Sequence, residues 1–245
     1  MSLKLSSSYF VVIPAAGKGT RFGSQGNAVK QHMNLLGKSV LQRSIEPFLE
    51  HKKINGVVVV LSTGDTGTEN LMESLNQSKL KIVSLGGKTR AETVLNGIRS
   101  LGGEVRDVDW ILVHDAARPL VTAELIDRLI EGVANYSDGG LLACRLVDTI
   151  KQSDDRDQIV STVDRKKLWS AQTPQMFRRA ALEEALEGAN NFDEITDESS
   201  AVERLGMKPR LIESDADNFK ITYERDLDRA QLVLEQRSFR KVADK

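Results

Sequence analysis

The feature that most constrains this chain is a series of five short apolar runs separated by amphipathic segments of helical length. The runs are rich in β-branched residues and consist of Tyr9–Ile13, Gly56–Leu61, Leu80–Val83, Trp110–Val113 and Gly140–Leu146. Between them, apolar residues recur at helical spacing, as they do in residues 40–49 and 125–133. Strands that are apolar on both faces and alternate with helices are typical of parallel sheets. The pattern therefore predicts an α/β fold with a mostly parallel sheet and helices on both of its faces.

Threonines that can cap helices mark where several helices should begin. Thr89 opens a capping-box pattern, and Thr122 precedes a helix predicted over Ala123–Tyr136. Thr222 precedes the last predicted helix, Tyr223–Gln236. We therefore expect each of these helices to start directly after its threonine.

The balance of charges argues against broad electrostatic binding to nucleic acid. Among 245 residues, 34 Lys and Arg oppose 35 Asp and Glu, a balance that still allows a local basic pocket. The lone cysteine, Cys144, excludes an internal disulfide, and its place in an apolar run predicts a buried small hydrophobe. The sequence has no apolar stretch near the ~20 residues of a membrane span. Its N-terminus, MSLKLSSSYF, lacks a signal-peptide core, so we expect a cytoplasmic protein.

One polar stretch, residues 148–167, interrupts the alternation of strands and helices. It reads DTIKQSDDRDQIVSTVDRKK and contains two short alternating pieces around a turn at residues 153–155. This pattern predicts an exposed β-hairpin arm on a single domain that spans residues 1–245. An arm this polar buries little surface alone, which favours pairing with a second subunit in a homodimer. A solvated excursion without a partner remains the alternative.

A glycine-rich loop, PAAGKGTRFG, follows the first predicted strand. Its glycines let backbone N–H groups turn toward an anion at the carboxyl edge of the sheet, and three cations, Lys18, Arg21 and Lys30, lie in or just after it. The spacing matches neither the dinucleotide pattern G-x-G-x-x-G nor the P-loop pattern. Three cations in a glycine loop favour a ligand with more charge than one pyrophosphate, such as a triphosphate. A plain turn with solvated cations remains the alternative.

Further short motifs follow the loop in a fixed order. They are Lys30-Gln31, Gly86-Gly87 with TRAET, VHDAARP at Val113–Pro119, VDTIK at Val147–Lys151, TVDR at Thr162–Arg165, TPQ at Thr173–Gln175, ITDE at Ile195–Glu198 and NFKIT at Asn218–Thr222. In this order the set closely resembles the 2-C-methyl-D-erythritol 4-phosphate cytidylyltransferases, a family of sugar-phosphate nucleotidyltransferases. The resemblance extends from about Val11 to the final helix and implies a Rossmann-like fold.

The resemblance also implies an activity. The family transfers a cytidylyl group from CTP to 2-C-methyl-D-erythritol 4-phosphate and releases pyrophosphate, in non-mevalonate isoprenoid biosynthesis. The attacking phosphate has a second pKa near ~6 and is ionised at neutral pH, so no general base is required. The implied cofactor is Mg²⁺ or another divalent cation, held mainly by the substrate phosphates.

Roles for individual residues follow from the same resemblance. The catalytic residues implied are Arg21, Lys30, Asp115 and Lys220. The nucleotide-binding residues implied are Pro14, Ala15, Ala16, Gly17, Lys18, Gly19, Gly87 and Thr93. The residues implied for the sugar phosphate are Asp115, Arg118, Thr149, Arg165, Thr173 and Thr196. Two of these, Thr149 and Arg165, lie on the arm, which in the family reaches the site of the neighbouring subunit. The sequence departs from the family at Val29, where proline is common, and at Thr93, where serine is common.

Three alternatives remain open. A ribitol-5-phosphate cytidylyltransferase would share the triphosphate machinery and differ in the polyol pocket, although the HDAARP motif favours methylerythritol. A nicotinamide-dependent oxidoreductase needs an acidic ribose anchor at the end of the second strand, and Asp65 is a poor substitute for one. A non-catalytic nucleotide-binding protein would not require the full set of cations.

Overall fold

The computed structural model describes residues 7–17, 30–65, 75, 78–189 and 191–243. Its strands are β1 Tyr9–Pro14, β2 Asn34–Leu35, β3 Lys38–Ser39, β4 Ile54–Val60, β5 Leu80–Val83, β6 Trp110–Val113, β7 Gly140–Arg145, β8 Ile150–Ser153, β9 Ile159–Val163, β10 Trp169–Arg178 and β11 Arg210–Glu213. Its helices, numbered α1 to α6, are Val40–Glu50, Arg90–Ser100, Ala123–Val133, Arg179–Glu187, Glu198–Glu203 and Arg225–Ala243.

Seven strands form the central sheet in the order β11-β7-β10-β6-β1-β4-β5. Strand β1 pairs in parallel with β4 and with β6, so that Val11 lies between Val57 and Leu112. Strand β10 is antiparallel to both of its neighbours, β6 and β7. The mostly parallel sheet predicted from the sequence is confirmed, but the apolar runs indicated neither the long antiparallel strand β10 nor the edge strand β11.

The hydrophobic core covers both faces of the sheet, because successive side chains of a strand point to opposite faces. Val11 and Ile13 pack on one face with apolar residues of α1 and α3. Val12 packs on the other face with α2 and α4. Helix α2 lies so close to the sheet that a Cβ at Gly97 would be 2.7 Å from Cγ1 of Val12. A side chain there would therefore push α2 away from the strands.

Several predicted boundaries are wrong by a few residues. The second strand is β4, two residues earlier than the apolar run, and β7 ends at Arg145. Helix α3 ends at Val133 rather than Tyr136, because the backbone N–H of Tyr136 donates to the carbonyl of Val133 in a tighter turn. Helix α6 begins at Arg225 rather than at Tyr223, since the N–H of Tyr223 donates to the Asp226 carboxylate at 2.7 Å.

The predicted hairpin is present as strands β8 and β9. They pair in antiparallel register, with Ile150 opposite Val163. Ile159 and Val160 are 67% and 64% exposed, so apolar side chains project from the arm into solvent. Whether a second subunit covers them stays a prediction.

Two further expectations concern Cys144 and the membrane. Cys144 is only half-buried, and its Sγ lies 3.2 Å from the carbonyl oxygen of Ser214, so the prediction of a purely hydrophobic role is wrong in part. Burial raises the pKa of the Cys144 thiol, which keeps it protonated. Within the described residues, none of the helices has the length and apolar character that a membrane crossing needs.

Candidate active site

The candidate site lies where the carboxyl ends of parallel strands meet. Strand β6 ends at Val113, and Asp115 follows two residues later at that edge. The turn after β1 lies at the same edge, because β1 runs parallel to β6 and the N–H of Ala15 donates to the carbonyl of Val60 at the end of β4. In sheets of this type, ligands bind outside the carboxyl ends of the strands.

Three cationic side chains surround the carboxylate of Asp115. Arg90 Nε lies 3.0 Å from Oδ1, and Lys220 Nζ lies 3.0 Å from Oδ2. Arg118 Nε lies 3.4 Å from Oδ2. The structure thus brings together three residues that the sequence predicted for the site, Asp115, Arg118 and Lys220.

The charges of this cluster keep Asp115 ionised. Its burial would raise the pKa of the carboxyl, but the nearby Arg90, Lys220 and Arg118 outweigh burial and hold the pKa well below its ordinary value. The side chain of Arg118 is 11% exposed, that of Arg90 is 30% exposed and that of Lys220 is 36% exposed. Lys220 is therefore the most exposed cation of this cluster, followed closely by Arg90.

Lys220 reaches Asp115 because its segment is fastened to neighbouring elements. The N–H of Ile221 donates to the carbonyl of Ala117 at 2.8 Å. The side chain of Asn218 is fully buried and donates to the carbonyl of Thr173 at 2.8 Å. The Asn218 carbonyl in turn accepts from Nη1 of Arg118 at 2.7 Å. The motif NFKIT thus positions one cation directly and a second through its backbone.

Arg90 and Glu198 are parts of this cluster to which the sequence analysis assigned no role. Arg90 Nη1 and Nη2 lie 2.6 and 3.1 Å from the two carboxylate oxygens of Glu198, which is 1% exposed. Although burial alone lowers it, the charges of Glu198 and Asp115 raise the pKa of Arg90. Burial raises the pKa of the Glu198 carboxyl, and the charge of Arg90 opposes that rise. The only signal in the sequence was the position of both residues inside the quoted motifs TRAET and ITDE.

Thr173 and His114 form the buried support beneath Asp115. The N–H of Asp115 donates to Oγ1 of Thr173 at 3.0 Å, and that oxygen lies 3.0 Å from Nδ1 of His114. Nε2 of His114 lies 3.1 Å from the carbonyl oxygen of Arg118. Since a carbonyl can only accept, we assign the imidazole proton to Nε2, and Nδ1 accepts from the Thr173 hydroxyl. Thr173 therefore orients the Asp115 backbone.

The state of His114 predicts a pH dependence of stability. Burial lowers the pKa of His114 to about 4, against 6.5 in the unfolded chain. Between these values the unfolded chain binds a proton that the folded protein does not, so the free energy of unfolding falls as the pH falls. Between pH 7 and pH 5, His114 should lower the free energy of unfolding by about 2 kcal/mol. Urea unfolding of the wild type and of His114→Gln at both pH values checks this, and equal losses in both would contradict it.

The nucleotide-binding residues predicted from the glycine turns lie next to one another. A Cβ at Gly86 would be 2.4 Å from Cβ of Ala16, so the two turns are in direct contact. The N–H of Gly87 donates to Oγ1 of Thr93 at 3.0 Å, and this hydroxyl donates to the carbonyl of Thr89 at 2.8 Å. Thr93 is 2% exposed and acts by holding the Gly87 turn.

The other predicted residues fall into three groups. Thr196 is exposed, two positions before Glu198, and Asp197 rather than Thr196 caps helix α5. Thr149 and Arg165 lie on the exposed arm. The remaining predictions, Lys18, Gly19 and Arg21, lie outside the described residues, as does the side chain of Lys30, whose backbone begins the short 3-10 turn Lys30–His32.

A divalent cation would find few protein ligands here. In the part of the chain that the structure describes, no group of three or more His, Cys, Asp or Glu residues could hold a metal ion. Both oxygens of Asp115 already contact cations, which makes this carboxylate a poor magnesium ligand. The donor set therefore fits a metal that is bound by substrate phosphates.

Comparison with known proteins gives a consistent result. The model of the family 2-C-methyl-D-erythritol 4-phosphate cytidylyltransferase matches residues 9–236. The protein of that name from Azoarcus sp. (strain BH72) is 43% identical over 230 residues, which cover 94% of this chain and 95% of the relative.

Solved structures agree with the sequence comparisons. A crystal structure of 4-diphosphocytidyl-2C-methyl-D-erythritol synthase has a TM-score of 0.81 and 39% identity, and the match covers 94% of this chain and 100% of that one. The Francisella tularensis 2-C-methyl-D-erythritol 4-phosphate cytidylyltransferase has a TM-score of 0.78 and 33% identity, over 92% and 99% of the two chains.

Proposed function

The chain belongs to the 2-C-methyl-D-erythritol 4-phosphate cytidylyltransferase family, and from this premise we propose which of its residues carry out the reaction. The enzyme transfers a cytidylyl group from CTP to 2-C-methyl-D-erythritol 4-phosphate. The products are CDP-methylerythritol and pyrophosphate, in non-mevalonate isoprenoid biosynthesis. The relatives do not favour the ribitol-5-phosphate alternative.

The chemistry demands positioned positive charge. An oxygen of the acceptor phosphate bonds to the α-phosphorus of CTP, and the bond from that phosphorus to the bridging oxygen breaks. The electron pair leaves with pyrophosphate, and no proton has to be removed from the ionised acceptor. The two reactants repel each other, and negative charge spreads over the equatorial oxygens in the transition state. Fixed cations lower this barrier by orienting both anions and neutralising the charge.

The observation that most supports our assignment is the group of three cations around Asp115. We assign Lys220 to the substrate phosphates, because its ammonium group is partly exposed beside the buried carboxylate. Asp115 holds Lys220 in place and can accept hydrogen bonds from the acceptor hydroxyls, with Arg118 as its second support. By family resemblance, Arg21 and Lys30 flank the α-phosphate.

The nucleotide is assigned to the contacting turns at Ala15–Gly17 and Gly86–Gly87. Because Ala16 and Gly86 carry small side chains or none, the backbone N–H and C=O groups of the two turns can contact the edge of a base. The close packing of the two turns leaves less room for a purine than for a pyrimidine. The backbone of residues 15–19 would cradle the triphosphate, since oriented N–H groups attract anions.

The divalent cation is assigned to the triphosphate rather than to a protein cage. Mg²⁺ keeps several waters and is often bound through substrate phosphates. When bound, it supplies positive charge to the phosphate oxygens. The chain's own task is then to hold the sugar phosphate and the base around it.

The arm is assigned to a homodimer in which each hairpin completes the partner's site. Apolar Ile159 and Val160 are exposed on the isolated chain, and a second subunit would cover such surface. Thr149 and Arg165 would then contact the sugar phosphate across the interface. Arginine suits this role because its planar fork grips two phosphate oxygens.

A mixing experiment tests this shared site. Arg165→Ala should raise the apparent KM for the sugar phosphate strongly, and Lys220→Ala should lower kcat. After subunit exchange, a mixed dimer pairs an intact Lys220 with an intact Arg165 at one of its two sites. Since half of the dimers are mixed, activity should recover to about a quarter of the wild-type value. Pyrophosphate release before and after exchange measures it.

The experiment has a clear negative outcome. If mixed dimers form, as judged by a tag on one variant, and activity stays at the level of the separate variants, the arm does not serve the partner's site. A monomeric wild type at assay concentration would contradict the dimer itself.

We further assign the whole chain, residues 1–245, to one nucleotidyltransferase domain with its arm at about 148–167. A cytoplasmic location, expected from the sequence, stays a prediction.

A further inference from the structure

One guanidinium bridges two buried carboxylates at the centre of the site. Arg90 donates from Nε to Oδ1 of Asp115 at 3.0 Å and from its two terminal nitrogens to Glu198 at 2.6 and 3.1 Å. Asp115 and Glu198 are 7% and 1% exposed. Two carboxylates at such depth can both stay ionised only if a fixed cation lies between them.

Glu198 is itself rigidly held. It is the first residue of α5, directly after the cap residue Asp197. The N–H of Ser199 donates to Oε1 of Gln175 at 2.8 Å, and Nε2 of Gln175 donates to Asp197 at 2.9 Å. These contacts fasten the start of α5 to strand β10. Glu198 therefore presents a fixed pair of oxygens to Arg90.

Arg90 lies where the two halves of the site join. It is the first residue of α2, directly after Thr89, which caps the helix and accepts from Thr93. The nucleotide-side turn at Gly87 is held from the same helix by Thr93. Through Asp115, Arg90 also touches the cluster that contains Lys220.

We propose that Arg90, locked by Glu198, is a positioning residue that fixes the rotamer of Asp115 and thereby the place of Lys220. Because Arg90 occupies Oδ1, the other oxygen of Asp115 faces Lys220 and Arg118. A lysine at position 90 keeps the charge, but a single ammonium cannot grip Glu198 in two places and also reach Asp115. This inference rests on the proposed function, in which Lys220 contacts the substrate phosphates.

The test measures the use of the acceptor and the binding of CTP separately. Pyrophosphate release is measured for the wild type, for Arg90→Lys and for a double variant, Arg90→Met with Glu198→Gln, in which both charges are removed. A misplacement near 1 Å lowers turnover by about 100-fold, so we expect such a loss in kcat/KM for the acceptor. The KM for CTP should change less than about threefold, because Thr93 and the core residues of α2 still hold the nucleotide turn.

A matched control is available on the same helix. Arg99, in the last turn of α2, pairs with Glu187 at the surface and is 52% exposed. Arg99→Lys should leave both KM values and kcat unchanged. In addition, Arg90→Lys should have little further effect in an Asp115→Asn background, since residues that act through one another are not additive.

Three results would overturn the proposal. They are a wild-type kcat/KM for the acceptor in Arg90→Lys, equal rises in both KM values with a lowered Tm, and full additivity with Asp115→Asn. Failure of the proposed function is distinguishable, because it shows in the wild type as no transfer from CTP. Failure of this inference leaves the wild type active and changes only the variants.

Discussion

Lys220→Ala should lower kcat by about 10²–10³ while the protein keeps its fold. Lys220 is the most exposed of the three cations on Asp115, and unlike Arg90 its ammonium group has no ion pair with Glu198 that holds it away from a substrate in the described cluster. Its loss removes a fixed charge at the point where two anions meet. Stability should change by about 1 kcal/mol or less, because the pair is partly exposed and Arg90 and Arg118 remain on Asp115.

Steady-state pyrophosphate release, with circular dichroism as the check on folding, measures this effect. Lys208→Ala serves as the control, because Lys208 is exposed and precedes β11 at the opposite edge of the sheet. We expect losses of the same order for Arg21→Ala and Lys30→Ala. Turnover near the wild-type value in Lys220→Ala would remove this residue from the reaction.

Asp115→Asn should reduce the free energy of unfolding by about 3 kcal/mol at neutral pH. The asparagine amide can still accept from Arg90, but its NH₂ group then faces the donors of Lys220 and Arg118. Removal of one partner leaves buried positive charge without compensation. In a chain of this size, Tm should fall by roughly 6–12 °C.

Asp115 also makes the free energy of unfolding depend on pH. The cause is the charge of nearby cations, whereas for His114 it is burial. The pKa of Asp115 lies well below 3.8 in the folded protein, so its ionised form contributes stability above pH 3.8. That contribution is lost as the pH falls through the folded pKa. Urea unfolding should therefore show a large gap between wild type and variant at pH 7 that narrows below pH 4. Asp193→Asn, at an exposed position, should match the wild type throughout.

The apolar runs revealed β1, β4, β5, β6 and β7, but they missed the short edge strand β11, in which only Ile212 is buried. Strand β10 escaped the same reasoning because its buried residues include Gln172, Thr173 and Gln175. Their burial is tolerated since each finds hydrogen-bond partners, as Gln175 does on Asp197 and Ser199. Hydrophobic periodicity cannot find a strand that is buried through polar contacts.

The candidate site, too, could be predicted from the sequence only in part. Motif order pointed to Asp115, Arg118 and Lys220, which the structure brings together. The bridge from Arg90 to Asp115 and Glu198 spans 25 and 108 residues of sequence, and no local spacing predicts such a pairing. Local pattern indicated which residue types the reaction needs, and only the folded sheet determined which charges face each other.

The most direct test of the central claim is pyrophosphate release from CTP and Mg²⁺ by the wild-type chain with alternative acceptors. The claim is that the cations around Asp115 let CTP and one particular polyol phosphate meet and exchange a phosphorus bond. We predict rapid release with 2-C-methyl-D-erythritol 4-phosphate and a kcat/KM at least about 100-fold lower with ribitol 5-phosphate, whose different polyol leaves polar groups of the site unpaired. No release with methylerythritol phosphate, or equal use of both acceptors, would contradict the account.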